Sequence, residues 1–244
     1  MCGRYALQTS LADLAETFGA EVSMEDPGPR FNVAPTETVV TLRGLESGRE
    51  IRGLRWGLVP NWSRDPSDVP LIINARSESL ETKPAFRNLL AAHRCAVLAD
   101  GFFEWRTEHG LRQPYFIRRR DGSPLAFAGL WDRWGETESC AVVTTGANRL
   151  LLPLHDRMPV LLSQEDLGRW VNPDERDFEH LRGMLRPCAP DLLEAYPVSP
   201  RMNRVQEDDA GCVVALDPPI RHPAEWERRP VAGSAAPDDQ LRLF

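Results

Sequence analysis

The middle third of this chain fixes its fold class. Five short runs follow one another at residues 95–99, 102–106, 115–119, 125–134 and 139–145. Each is rich in β-branched or aromatic side chains and bounded by turn signals, the composition of strands. Asp121-Gly122 is the clearest hairpin turn among them. Two more strands are predicted at 38–43 and 50–57, joined by Glu46-Ser47-Gly48, and a last one at 212–216. Helices are few and short. Ser10-Leu11-Ala12-Asp13 is a capping box that opens a helix lined by Leu11, Leu14, Ala15 and Phe18 and stopped by Gly19. Pro84 suits the first position of a second, with Phe86, Leu89, Leu90 and His93 as its apolar face. Ser163-Gln164-Glu165-Asp166 caps a third, with Leu167, Trp170 and Val171 inward, and a fourth falls near 177–185. Strands arrive in consecutive groups and do not alternate with helices. The chain is therefore α+β, built on a mostly antiparallel, barrel-like sheet with short flanking helices.

The 244 residues are 42% hydrophobic, enough for one well-cored domain, which we place at 1–222. Beyond it, 223–244 is rich in Pro, Ala, Gly, Arg and acidic residues without periodicity and reads as a disordered tail. Trp131 and Trp134 flank an apolar strand and read as core. No apolar run is long enough to span a membrane, and no basic-then-apolar leader precedes Asp13. The five cysteines (Cys2, Cys95, Cys140, Cys188, Cys212) are odd in number and widely spaced. That pattern argues against a metal site or a disulfide framework and for a reducing cytoplasm. Cys95, Cys140 and Cys212 lie in apolar runs and read as inert packing residues.

A net charge of −7 excludes a general coat of duplex-DNA affinity, so any nucleic-acid binding needs a local arginine patch. The only lysine is Lys83, against 28 arginines. An amine nucleophile must therefore be Lys83 or the chain's own terminus. The terminus is the better candidate. Met1 precedes the small residue Cys2, the setting in which initiator methionine is removed. A chain starting at Cys2 carries an α-amine, with a pKa of about 7.7–8, beside a thiol. Such a 1,2-aminothiol condenses with an aldehyde to an imine, which the sulfur closes to a thiazolidine. An internal cysteine cannot do this, because its nitrogen is an amide.

Other segments carry reactive groups. Asn74-Ala75-Arg76-Ser77-Glu78 puts an amide and a guanidinium just past an apolar run. Glu104 lies among Phe102, Phe103 and Trp105; in a strand it faces away from Phe103 and Trp105, where a buried carboxyl with a raised pKa can shuttle protons. His155 stands beside Asp156 and Arg157, and Trp62 is an aromatic able to stack on a base. Taken singly, each has an ordinary reading: Glu104 as a paired strand residue, His155 as a hydrogen-bonding group, Asn74 as a turn or cap, Trp62 as a loop aromatic.

Taken in order, Met1-Cys2-Gly3-Arg4-Tyr5, Phe31-Asn32-Val33-Ala34-Pro35, the Asn74–Glu78 segment, Gly101-Phe102-Phe103-Glu104-Trp105 and His155-Asp156-Arg157-Met158-Pro159 resemble the SRAP family of SOS-response-associated, abasic-site processing proteins, from about Cys2 to Pro219. The resemblance implies one α+β domain with a basic cleft for single-stranded DNA, and covalent capture of abasic sites, whose ring-opened sugar is an aldehyde. It implies Cys2 as nucleophile through amine and sulfur, Asn74 as the group positioning amine or sugar, Glu104 as general acid–base and His155 as proton donor or acceptor at the sugar oxygen. Arg4 and Arg76 would hold flanking phosphates, while Pro35, Trp62 and Trp105 would shape the pocket or wedge against bases. Weak AP-lyase activity is expected from the imine stage, and the family's peptidase label would reflect removal of Met1 and self-release; no cofactor or metal is called for, and the oligomeric state is left open with a monomer as the default.

The last five residues, Gln240-Leu241-Arg242-Leu243-Phe244, resemble the bacterial sliding-clamp-binding pentapeptide, with Gln240, Leu241, Leu243 and Phe244 as the matching positions. Two other functions compete. An N-terminal-nucleophile cysteine peptidase or amidohydrolase would use Cys2 on amides, and a non-catalytic replication adaptor would not need Cys2 at all.

Overall fold

The computed structural model describes residues 2–228. In chain order the elements are β1 (Tyr5–Leu7), α1 (Leu11–Phe18), β2 (Glu21–Val22), β3 (Arg30–Val33), β4 (Thr38–Leu45), β5 (Gly48–Trp56), β6 (Asn74–Arg76), α2 (Arg87–Ala92), β7 (Arg94–Ala99) and β8 (Gly101–Glu108). They continue with β9 (Leu111–Arg119), β10 (Leu125–Trp134), β11 (Thr137–Gly146), β12 (Arg157–Pro159), α3 (Gln164–Val171), α4 (Phe178–Met184) and β13 (Leu193–Pro197).

The strands form two sheets. One runs β13-β9-β8-β1-β3; the other runs β12-β11-β10-β7-β4-β5-β2, with β6 added to β11. Antiparallel pairs dominate. A parallel contact of Ser139 with Arg55 and Cys140 with Trp56 joins β11 back to β5 and loosely closes β4, β5, β11, β10 and β7 into a ring. Phe127, Leu42, Ile51, Leu54, Val97 and Val142 are fully or almost fully buried in its core. A second, smaller core on the first sheet packs Phe103, Phe116, Tyr196, Val198 and Met202. The α+β, sheet-dominated, barrel-like class expected from the sequence is the class observed. Among the described residues no helix is long and apolar enough to cross a membrane.

Local chemistry accounts for the elements. The Ser10 and Ser163 side chains accept from the Asp13 and Asp166 N–H groups, and Gly19 ends α1 at φ +58°. The tight hairpin between β8 and β9 turns on His109 and Gly110, both at positive φ, as a right-twisted two-residue hairpin requires.

Several expectations need correction. Asp121-Gly122 is a turn, with Gly122 at φ +75° and its N–H on the Arg119 carbonyl, but not a hairpin: β9 and β10 belong to different sheets. The predicted strand at 212–216 is a 3₁₀ turn ending at Cys212 and one bridge from Ala215 to Val198. Its partner chain leaves strand conformation within two residues, at Pro200–Asn203, so no ladder forms. Pro84 does not open α2; it lies in a turn closed by Lys83, and the helix starts at Arg87. Trp131 and Trp134 are half-buried, not core: Arg43 covers Trp131 at 4.3 Å and His93 stacks on it at 4.5 Å. The chain also stays folded past Pro223. Pro223–Arg228 is a 3₁₀ segment whose Trp226 is 3% exposed, meets Tyr115 edge-on and donates to the Leu150 carbonyl. The clamp-like residues Gln240, Leu241, Leu243 and Phe244 lie outside the described residues.

Candidate active site

The strand β1 delivers the terminus to the site. Its Tyr5 pairs with Phe102 on β8, and the Phe103 N–H donates to the Arg4 carbonyl at 3.0 Å, continuing that pairing toward Cys2. Cys2 is fully buried. From the other sheet, β6 lies parallel to β11, with Asn74 opposite Val142. Its side-chain amide donates to the Cys2 carbonyl at 2.9 Å, the contact that joins the two sheets at this point.

Glu104 follows the strand alternation. Phe103 enters the smaller core on one face, and Glu104 enters the site on the other, 3% exposed. Burial pushes its carboxyl up to about 7, opposed by the chain's terminal amine and by Arg112, with the charge of Asp156 adding to it. The Cys2 thiol is pushed well above its ordinary range, first by burial and then by the charge of Glu104, while the Arg4 backbone N–H favours the thiolate. The charge of Glu104 therefore reaches the Cys2 thiol. A thiol in this setting is neutral at pH 7 and must lose its proton to a neighbour as it attacks.

His155 closes the site from the segment before β12. Its pKa lies below the usual value, lowered by burial, by the chain's terminal amine and by Arg157 against the pull of Asp156. Nδ1 is within 2.9 Å of the Arg157 N–H and 2.7 Å of an Asp156 oxygen. It cannot accept from the first and donate to the second. A depressed pKa and an Asp156 that is 80% exposed favour the neutral ring, with Nδ1 accepting and the proton on Nε2. The Arg157 guanidinium, on Glu78 at 2.6 and 3.0 Å, ties this segment to the one carrying Asn74 and Arg76.

The sequence-predicted residues fall into two sets. Cys2 and Asn74 touch, Glu104 acts on Cys2 through its charge, and His155 joins through Asp156, whose field reaches Glu104. The other set is peripheral. Arg76 is exposed and Pro35 half-buried. Trp62 is 61% exposed on a loop whose ends meet at the Leu58–Ile72 bridge. Trp105 is half-buried, its indole N–H on the Asn203 side chain at 2.8 Å and the Arg112 guanidinium 4.6 Å above its ring. Arg4 is held by Asn32 and by the carbonyls of Met202 and Asn203. Sequence reasoning missed Arg112 and Asn203, which no local pattern marks. It quoted Asn32, Glu78 and Arg157 within motifs without giving them work.

An α+β domain that buries a cysteine at position 2, with a side-chain amide on its carbonyl and a buried carboxyl whose charge reaches its thiol, is what the fold and the site define. The chain belongs to the SOS response associated peptidase (SRAP) family, whose model matches residues 1–205. It is 37% identical over 211 residues to the abasic site processing protein YoqW of Bacillus subtilis, covering 83% of this chain and 94% of that protein. It is 32% identical over 220 residues to the abasic site processing protein YedK of Escherichia coli, covering 86% and 97%. Among solved structures, a Bordetella bronchiseptica protein matches at a TM-score of 0.70 and 30% identity, over 81% of this chain and all of that one. A Bacteroides thetaiotaomicron protein matches at 0.78 and 24% identity, over 87% and 98%, a likeness of fold.

Proposed function

We propose that this protein captures abasic sites in single-stranded DNA through the amine and thiol of Cys2, once Met1 is removed. The observation that supports the reading is the Asn74 amide on the Cys2 carbonyl, with the buried Glu104 carboxyl acting on Cys2 through its charge, in a chain whose relatives are named abasic site processing proteins. The α-amine adds to C1′ of the ring-opened sugar. Protonated Glu104 gives its proton to the departing hydroxyl, water leaves, and an iminium links Cys2 to the sugar. The Glu104 carboxylate then takes the Sγ proton as sulfur attacks C1′, closing a neutral thiazolidine and restoring the acid. A group poised at about 7 serves both steps near neutral pH. Asn74 fixes the Cys2 carbonyl and with it the direction of the amine. His155, neutral with its proton on Nε2, donates to the sugar oxygen and takes the proton back on reversal.

The iminium acidifies the C2′ hydrogen, so slow loss of the 3′-phosphate, a weak AP-lyase activity, accompanies capture. Arg4 and Arg76 hold the flanking phosphates; Pro35, Trp62 and Trp105 bracket the lesion. The test is a single-stranded oligonucleotide with one abasic site, mixed with protein whose Met1 is absent by mass. A species surviving denaturation, lost with Cys2→Ala and with an aldehyde-free strand, is the expected result. Its absence defeats the reading and favours an amidohydrolase or an adaptor.

The C-terminal pentapeptide fits a tether to the replication clamp, which raises the local concentration of protein where single strands appear. A peptide of residues 229–244 titrated against the bacterial clamp should saturate, and Leu243→Ala with Phe244→Ala should abolish binding.

A further inference from the structure

Asn32 stands behind the site and is used by none of the chemistry above. It is fully buried, and both ends of its amide are partnered. Nδ2 faces the carbonyls of Met202, Arg204 and Glu207 at 2.9, 3.0 and 2.7 Å, and Oδ1 accepts from Arg4 Nη1 at 2.7 Å. The reverse orientation of the amide would set its oxygen against three carbonyl oxygens, so the network fixes the assignment. The backbone there is pinned as well: Asp208 accepts from the N–H groups of Phe31 and Asn32 at 2.5 and 2.8 Å. The segment from Met202 to Asp208 is thus wrapped around one side chain, with Met202 anchored in the smaller core.

Two consequences follow for the peripheral set. Arg4 is oriented wholly by neutral oxygens, those of Asn32, Met202 and Asn203, while the nearby Glu37 is engaged by Arg30 at 2.7 Å. Neutral acceptors fix a guanidinium without cancelling its charge, whereas a carboxylate at the same place would do both. Asn203, carried by the wrapped segment, holds the Trp105 indole at 2.8 Å.

We propose that Asn32 is a positioning residue that keeps Arg4 oriented and un-neutralised for a DNA phosphate and, through Asn203, sets Trp105 beside it for a base. This rests on the single-stranded-DNA reading of the site. The test uses full-length protein and a fluorescein-labelled undamaged oligothymidylate, with affinity measured against salt. Asn32→Asp keeps the shape, places a carboxylate on Arg4 and removes the donor to three carbonyls. We expect affinity to fall roughly tenfold and the log–log salt slope to flatten by about 0.7, one phosphate contact on a single strand. In an Arg4→Gln background the same change should leave the slope where it is. Asn203→Ala, at an exposed position, should weaken binding roughly tenfold with the slope unchanged, since stacking is not ionic. It also carries the test should Asn32→Asp fail to fold by thermal melt. A wild-type slope in folded Asn32→Asp, an undiminished effect without Arg4, or wild-type affinity in Asn203→Ala overturns the proposal. Failure of the unaltered protein to bind the strand instead defeats the functional reading beneath it.

Discussion

Glu104 illustrates how one residue links stability to chemistry. Burial raises its carboxyl from 4.5 to about 7, so between those values the native state holds a proton that the unfolded chain has released. Native protein binding more protons means stability falls as pH rises through this window, by about 3 kcal/mol in all, and levels off above it. Glu104→Gln should remove that slope in urea titrations at pH 5 and pH 8, leaving the variant the more stable protein at the higher pH. The same change should slow crosslinking by about 100-fold and abolish the alkaline limb expected of the wild type above pH 7. Cys2→Ser separates the two halves of the nucleophile. Its amine still forms an imine, trapped by borohydride, but without sulfur no denaturation-resistant adduct should form in the absence of reductant.

At the level of elements, the hairpin turn at Gly110 and the caps at Ser10 and Ser163 are local devices, and each was legible in the sequence to a different degree. The Ser caps were read directly, because the bond runs between residues three apart. Ser163→Ala should cost about 1 kcal/mol by thermal melt, with crosslinking unaffected, since α3 packs chiefly on β4, β7 and α4. The His109-Gly110 turn went unread in favour of Asp121-Gly122, which has the stronger turn composition but joins strands of different sheets. Turn chemistry specifies a bend, and only tertiary pairing decides whether a hairpin results. The run at 212–216 failed for the same reason: its pattern suits a strand, but β13 supplies no ladder beyond one bridge. Buried Arg94 is a further case. It donates to carbonyls of Leu90, Ala91 and Trp170 and so binds the ends of α2 and α3 together, a task invisible in its local sequence.

On the scale of the whole molecule, two sheets meet at the Asn74–Cys2 contact, and the site exists only because both sheets are complete. The sequence named Cys2, Asn74, Glu104 and His155 from motif order, but their convergence depends on β6 joining β11 and β1 joining β8, pairings between residues about 70 and 97 apart. The wrapped segment around Asn32 lies some 170 residues from it and has no local signature. Trp226 closes the molecule in a similar way, from a region whose composition reads as a tail. Trp226→Ala should cost about 3–5 kcal/mol in chemical denaturation, while loss of residues 229–244 should leave the midpoint unchanged. With a net charge of −7, the proposed DNA binding would rest on local arginines such as Arg4 and Arg76, so binding should weaken as salt rises.

The most direct measurement is intact mass of Met1-free protein after incubation with a single-stranded oligonucleotide bearing one abasic site. Covalent capture predicts one species at the sum of the two masses less one water, stable without reductant and missing in Cys2→Ala. Unchanged masses for both components, with the free Cys2 terminus verified, would contradict the account.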